Sequence, residues 1–181
     1  MKVEHSSIAE VLLLEPKVFG DARGFFFESY NRKAFAQATG LDVEFVQDNH
    51  SRSSKNVLRG LHYQLRQPQG KLVRVTAGEI WDVAVDLRRR SANYGRWTAA
   101  TLRAESRRML WVPAGFAHGF LVLSDQAEVQ YKTTDYYAPE HERTLLWNDP
   151  ALAISWPLAG EPVMADKDRR GKPLAVADTF D

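Results

Sequence analysis

The chain is 181 residues long and 44% apolar, with 24 Lys and Arg against 23 Asp and Glu and no cysteine. A formal net charge of +1 gives no field that would draw it to nucleic acid or a membrane surface, and without cysteine there is neither a disulfide framework nor thiol catalysis. Five Trp and nine Phe within this length suit one core, a single domain over residues 1–181, and exclude a disordered composition.

In chain order, Met1-Lys-Val-Glu-His carries no apolar leader, and no apolar run approaches the ~18 residues of a membrane span. A soluble, cytoplasmic protein is expected. The spacing predicts a helix over Arg32–Thr39, stopped by Gly40 in the C-cap position. Lys71-Leu-Val-Arg-Val-Thr reads as a strand running into an Ala77-Gly78 turn. Next, Trp81, Val83, Val85 and Leu87 alternate with Asp82, Ala84 and Asp86, the pattern of a half-buried strand. Met109-Leu-Trp-Val leads into Pro113, Phe120-Leu-Val-Leu ends at Ser124-Asp125, and Ala127 to Thr134 alternates again. The tail from Trp156 to Pro173 reads as loop, with a short helix near Asp166–Arg170. Short strands between Gly, Pro, Asn and Asp turns predict a mainly β, double-sheet jelly roll with a few short helices.

Two motifs narrow the class. Arg59-Gly-Leu-His-Tyr-Gln, followed by Gly70-Lys71, six residues and Gly78, echoes the first motif of metal-binding cupins, H-x-H…E-x6-G. The second histidine has become Gln64 and the glutamate Lys71, whereas the second motif, P-x-G-x-x-H, stands intact from Pro113 to His118. A divalent cation wants neutral imidazoles and carboxylates, and an ammonium in the carboxylate's place repels it. A cupin-like double-stranded β-helix that works without metal or cofactor on an anionic small molecule is therefore expected.

Six segments in order widen the comparison: Asp21-Ala-Arg-Gly-Phe-Phe-Phe-Glu28, Gln47-Asp-Asn-His-Ser-Arg-Ser, Val57-Leu-Arg-Gly-Leu-His-Tyr-Gln, Asp82-Val-Ala-Val-Asp-Leu-Arg, Trp111-Val-Pro-Ala-Gly-Phe-Ala-His-Gly-Phe and Trp147-Asn-Asp-Pro. Together they resemble the dTDP-4-dehydrorhamnose 3,5-epimerases, from about residue 2 to about residue 174. Ser106 and Met109, where the family pattern carries Asn and Gln, are mild departures. The resemblance implies a homodimeric, cofactor-free jelly-roll epimerase. It would invert C3 and C5 of dTDP-4-dehydro-6-deoxy-D-glucose to give dTDP-4-dehydro-L-rhamnose, on the route to dTDP-L-rhamnose for bacterial surface polysaccharide.

That chemistry suits these residue types. C3 and C5 flank one C4 ketone, so inversion needs a base, an acid on the opposite face and a group that holds the enolate oxygen. His62 is the natural base, since imidazole ordinarily titrates near neutrality. The resemblance assigns its carboxylate partner to Asp168, the acid to Tyr131 and oxyanion stabilisation to Lys71. It further implies that Arg23 and Arg59, with Lys167, meet phosphate or sugar groups. Glu28, Gln47, Asp48 and Asn49 would bond nucleotide or sugar hydroxyls, with His118 and Glu142 also lining the site. Phe25–Phe27 offers thymine a stacking surface, and some N-terminal residues would reach the partner subunit's site, because the family exchanges strands at its dimer interface.

Taken residue by residue, duller readings exist. Tyr131 on an alternating strand is ordinary packing, and Asp166-Lys-Asp-Arg-Arg is a solvated charge run. Arg88-Arg-Arg90 and Arg107-Arg108 are surface clusters without interleaved aromatics, and Trp81, Trp97, Trp111 and Trp156 belong to core or interface. The competing functions are an epimerase acting at C3 or C5 alone, a sugar-nucleotide ketoisomerase, a non-catalytic sugar-nucleotide-binding cupin, and a metal-dependent cupin.

Overall fold

Period-two alternation along the strands sorts the apolar side chains into one inner layer and two outer ones. The computed structural model describes residues 1–181. One antiparallel sheet runs in the order β1 (Lys2–His5), β2 (Leu12–Glu15), β10 (Met109–Val112), β7 (Lys71–Ala77), β12 (Gln126–Thr133), β5 (Gln47–Ser54). The other runs β13 (Glu142–Thr144), β6 (Leu58–Gln64), β11 (Phe116–Val122), β8 (Glu79–Asp86), β9 (Trp97–Arg103). This is the double-sheet jelly roll read from the sequence. Apart from both sheets, β3 (Phe19–Asp21) and β4 (Gly24–Phe26) pair only with each other.

Between the sheets, Val73, Val75, Ile80, Ala84, Val122 and Val129 form the inner core. On the outer face of the five-stranded sheet, Leu61, Tyr63, Val83, Val85 and Leu87 are covered by the C-terminal segment through Leu152, Trp156 and Ala177. There Trp81 packs edge-on against Trp97 and Trp156, with ring centroids 5.9 and 5.1 Å away. On the far side, α1 (Arg32–Thr39) seats Phe35 over Leu12, Leu14, Leu72 and Trp111. Its ends obey the local signals: Asn31 Oδ1 accepts from the Ala34 N–H, and Gly40 takes the left-handed conformation at φ 73°.

Two strand expectations need correction. β8 is not half-buried, for Asp82, Ala84 and Asp86 are as completely enclosed as Val83 and Val85. The tail covers one face and the second sheet covers the other, so these aspartates are inside and paired. Asp86 is satisfied by the Arg88 guanidinium and the Ser91 hydroxyl, at 2.7 and 2.6 Å from Oδ2. β11 begins at Phe116, four residues before the apolar run at Phe120, because His118 and Gly119 interrupt the apolar pattern without interrupting the ladder.

Candidate active site

Toward one end of the barrel, polar side chains replace the inner apolar layer and line a cavity of about 590 Å³. β6 supplies Arg59 and His62, three residues apart and both on the cavity wall, which a regular strand would not allow. The register explains it: His118 pairs with His62 and Phe120 with Arg59, so three steps on β6 face two on β11. Gly60 sits in this bulge with φ 109°, its backbone against that of Gly119. A Cβ on Gly60 would lie 2.6 Å from the His118 carbonyl oxygen and 2.7 Å from the Gly119 Cα. Gly60→Ala is therefore expected to cost about 3 kcal/mol in chemical denaturation, from the positive φ and overpacking together, and to displace His62.

A long-range polar contact fixes the His62 ring. His62 Nε2 lies 2.6 Å from Asp168 Oδ1, although 106 residues separate them. Asp168 is carried by α2 (Asp166–Arg169), a single turn whose other three residues are exposed. Its second oxygen accepts from the Gly60 N–H at 3.3 Å. Burial works to raise the Asp168 pKa, but the His62 hydrogen bond and charge, the Gly60 N–H and Lys167 outweigh it and hold it below the usual carboxylate value. A permanent anion thus fixes Nε2 and leaves Nδ1 as the ring nitrogen without a protein partner.

Across the cavity, β12 contributes Tyr131 and β7 contributes Lys71. Burial pushes the Tyr131 phenol above its ordinary pKa, with Arg59 opposing, so the hydroxyl keeps its proton at neutral pH. Burial pulls Lys71 down to about 8, against the carboxylates of Asp82 and Glu142 and with help from Lys167. Its ammonium makes no hydrogen bond or ion pair within the chain, so its donors are free for a ligand in the cavity. Glu142 Oε2 is held by Lys167 Nζ at 3.0 Å and by the Tyr137 hydroxyl at 3.3 Å. Arg59 Nε donates to Ser53 Oγ at 2.9 Å. Gln47 Nε2 donates to Asn49 Oδ1, and Gln47 Oε1 accepts from the Tyr137 N–H. His118 is buried and bonded through Nε2 to Asp82.

Of the residues singled out from sequence, ten therefore share one cavity: Gln47, Asn49, Arg59, His62, Lys71, His118, Tyr131, Glu142, Lys167 and Asp168. Three do not. Alternation on β5 turns Asp48 away from Gln47 and Asn49, out to an ion pair with Lys132 at 2.8 Å. Arg23 lies on the free β3–β4 hairpin, paired with Asp21, and Glu28 accepts from Asn31 beside α1. Phe25 and Phe26 are 61% and 67% exposed on the same hairpin and line no part of this cavity. Gln64, where a cupin carries its second histidine, ties down a loop instead. It donates to the carbonyls of Gln67 and Tyr136 and accepts from the Ala138 N–H. No group of three His, Asp or Glu side chains is spaced to hold a metal ion. Asp82 and Tyr137 escaped the sequence reading. The Asp82 signal was an aspartate between Trp81 and Val83 in an otherwise apolar strand, and Tyr137 carried none.

This arrangement has known counterparts. Residues 5–176 match the family described as dTDP-4-dehydrorhamnose 3,5-epimerase. The chain belongs to the dTDP-4-dehydrorhamnose 3,5-epimerase family. A member from Pseudomonas aeruginosa is 62% identical over 180 residues, covering 99% of each chain. The crystal structure of the Legionella pneumophila family member, in complex with dTDP-4-keto-L-rhamnose, superposes with a TM-score of 0.95 at 50% identity, covering 98% of this chain and 94% of that one. A 3′-monoepimerase from Streptomyces bikiniensis, in complex with dTDP-quinovose, has a TM-score of 0.88 at 34% identity, covering 95% and 88%. The epimerase fold thus also serves inversion at a single carbon, and the chemistry of this member has to be argued from its own side chains.

Proposed function

We propose that this chain is an isomerase that inverts C3 and C5 of dTDP-4-dehydro-6-deoxy-D-glucose, giving dTDP-4-dehydro-L-rhamnose for dTDP-L-rhamnose synthesis. One observation carries the reading: an imidazole–carboxylate dyad and a protonated phenol face one cavity from opposite sheets, with a buried ammonium beside the phenol. The His62 Nδ1 takes the proton from carbon, and Asp168 stabilises the imidazolium. Lys71 holds the enolate oxygen, a contribution of about 3 kcal/mol for one well-placed donor. Tyr131 returns a proton from the other face, which inverts the centre. Arg59 and Lys167 take the diphosphate, and Gln47, Asn49, Glu142 and His118 take hydroxyls and the base. The same reading treats residues 1–181 as one domain.

The functional form is proposed to be a cytoplasmic homodimer. The β3–β4 hairpin exposes Phe19, Phe25 and Phe26 beside Arg23, an apolar and basic surface that pairs with neither sheet of its own chain. Seated on a partner, it would deliver Arg23, Glu28 and an aromatic ring to the partner's cavity.

The test is deuterium wash-in at C3 and C5, followed by NMR in deuterated water with dTDP-4-dehydro-6-deoxy-D-glucose. Exchange with inversion at both carbons, unchanged by chelator, is expected. Exchange at one carbon would assign the chain to the single-site epimerases, and binding without exchange to a non-catalytic role. Lys71 adds a pH dependence. Its ammonium is needed and its pKa is lowered to about 8, so kcat/KM is expected to fall as pH rises through about 8.

A further inference from the structure

The cavity's charges pair off unevenly. Asp168 is engaged by His62 and the Gly60 N–H, and Glu142 by Lys167 and Tyr137. Lys71 alone is a buried cation with no direct partner, yet it lies on the wall where enolate charge would develop. On the opposite sheet, facing the lumen, is one more carboxylate. Asp82, at 0% exposure, forms no part of the cavity lining and holds both oxygens against His118 Nε2, at 2.9 and 3.0 Å. β8 places it there because its even-numbered residues face the lumen, where Phe120 of β11 is its register partner.

We propose that Asp82 is a positioning residue of the reaction, which fixes the His118 ring through Nε2 and supplies the negative charge that keeps Lys71 an ammonium. The proposal rests on the epimerase reading of the cavity. With Nε2 committed, Nδ1 is the only His118 nitrogen without a protein partner, so the ring meets a ligand in one orientation. The charges around Lys71 are Asp82 from β8, Glu142 from β13 and Lys167 from α2, with His62, His118 and Tyr131 on the surrounding walls. Burial and Lys167 both disfavour its proton. Glu142 is already drawn to Lys167, which leaves Asp82 as the main counter-charge.

The experiment compares wild type with Asp82→Asn and Asp82→Glu, with two readouts. Lysine labelled with ¹³C at Cε reports the Lys71 titration by NMR, its signal assigned by its loss in Lys71→Arg. In parallel, kcat/KM is followed against pH. Removing the charge is expected to lower the Lys71 titration and the alkaline limb together by about one pH unit, about a tenfold deeper activity loss at alkaline pH. Asp82→Glu, which keeps the charge, is expected to hold the limb near its wild-type position. Should Asp82→Asn not fold, Asp82→Ser, which leaves room for water beside His118, undergoes the same comparison. A Lys71 titration unmoved by loss of the charge would overturn the proposal. A wild-type enzyme inactive on the substrate would instead overturn the epimerase reading, and the NMR titration separates the two cases.

Discussion

His62→Asn is expected to abolish deuterium wash-in at both C3 and C5 and to lower kcat/KM by about 10³-fold, with the protein still folded and still binding nucleotide. The argument begins from geometry. His62 is the only imidazole in the cavity backed by a carboxylate that also accepts a backbone N–H, so its Nε2 is fixed and its Nδ1 is the nitrogen free to act as base. Both carbons adjoin the C4 ketone, and a single base serves each in turn if the sugar re-presents itself, so both exchanges should disappear together. A factor of 10³ corresponds to about 4 kcal/mol of transition-state stabilisation, within reach of a positioned base whose conjugate acid rests on a buried anion. Asp168→Asn should produce a smaller loss with the same signature, because the amide still accepts the His62 hydrogen bond but no longer balances imidazolium charge. Persistence of exchange at either carbon in His62→Asn would show that a second base serves it and would undo the single-base reading.

How far the site could be read in advance differs by residue, for physical reasons. The helix Arg32–Thr39 was legible because its terminator is local, a Gly40 stop in the C-cap position. The strands at Lys71, Met109 and Ala127 were legible because Gly, Pro and Ser-Asp turns bound them. Asp168 was another matter. Charge pattern placed it in a solvated run, and only the family resemblance put it beside His62. The contact that buries it comes from 106 residues upstream, and no local pattern encodes that. Asp82 was misread because an alternating strand looks half-wet until the sequence is known to cover both faces. Asp48 shows the limit of a motif: quoted within Gln47-Asp-Asn, it adjoins two cavity residues in sequence but does not share their face of β5. Arg23 and Glu28 lie on segments whose setting within one chain leaves them outside its own cavity, so their proposed role depends on the proposed dimer.

Tyr131→Phe is expected to separate two events that His62→Asn removes together. Deuterium should still enter at C3 and C5, while inverted product falls by about 10²–10³-fold. The reason lies in the two walls. His62 stands on β6 in one sheet and Tyr131 on β12 in the other, so they approach the sugar ring from opposite sides. Abstraction by His62 followed by return of a solvent-derived deuteron from the same imidazole gives exchange with retention. Inversion needs a proton from across the ring, and the Tyr131 hydroxyl is the proposed acid there, its proton kept in place by burial. Phenylalanine preserves the packing against the inner core and removes only the oxygen, so stability should change little. Equal losses of exchange and inversion would mean that Tyr131 acts in abstraction itself, and the acid would then have to be sought among Lys71, Lys167 and Tyr137 on the same wall and rim.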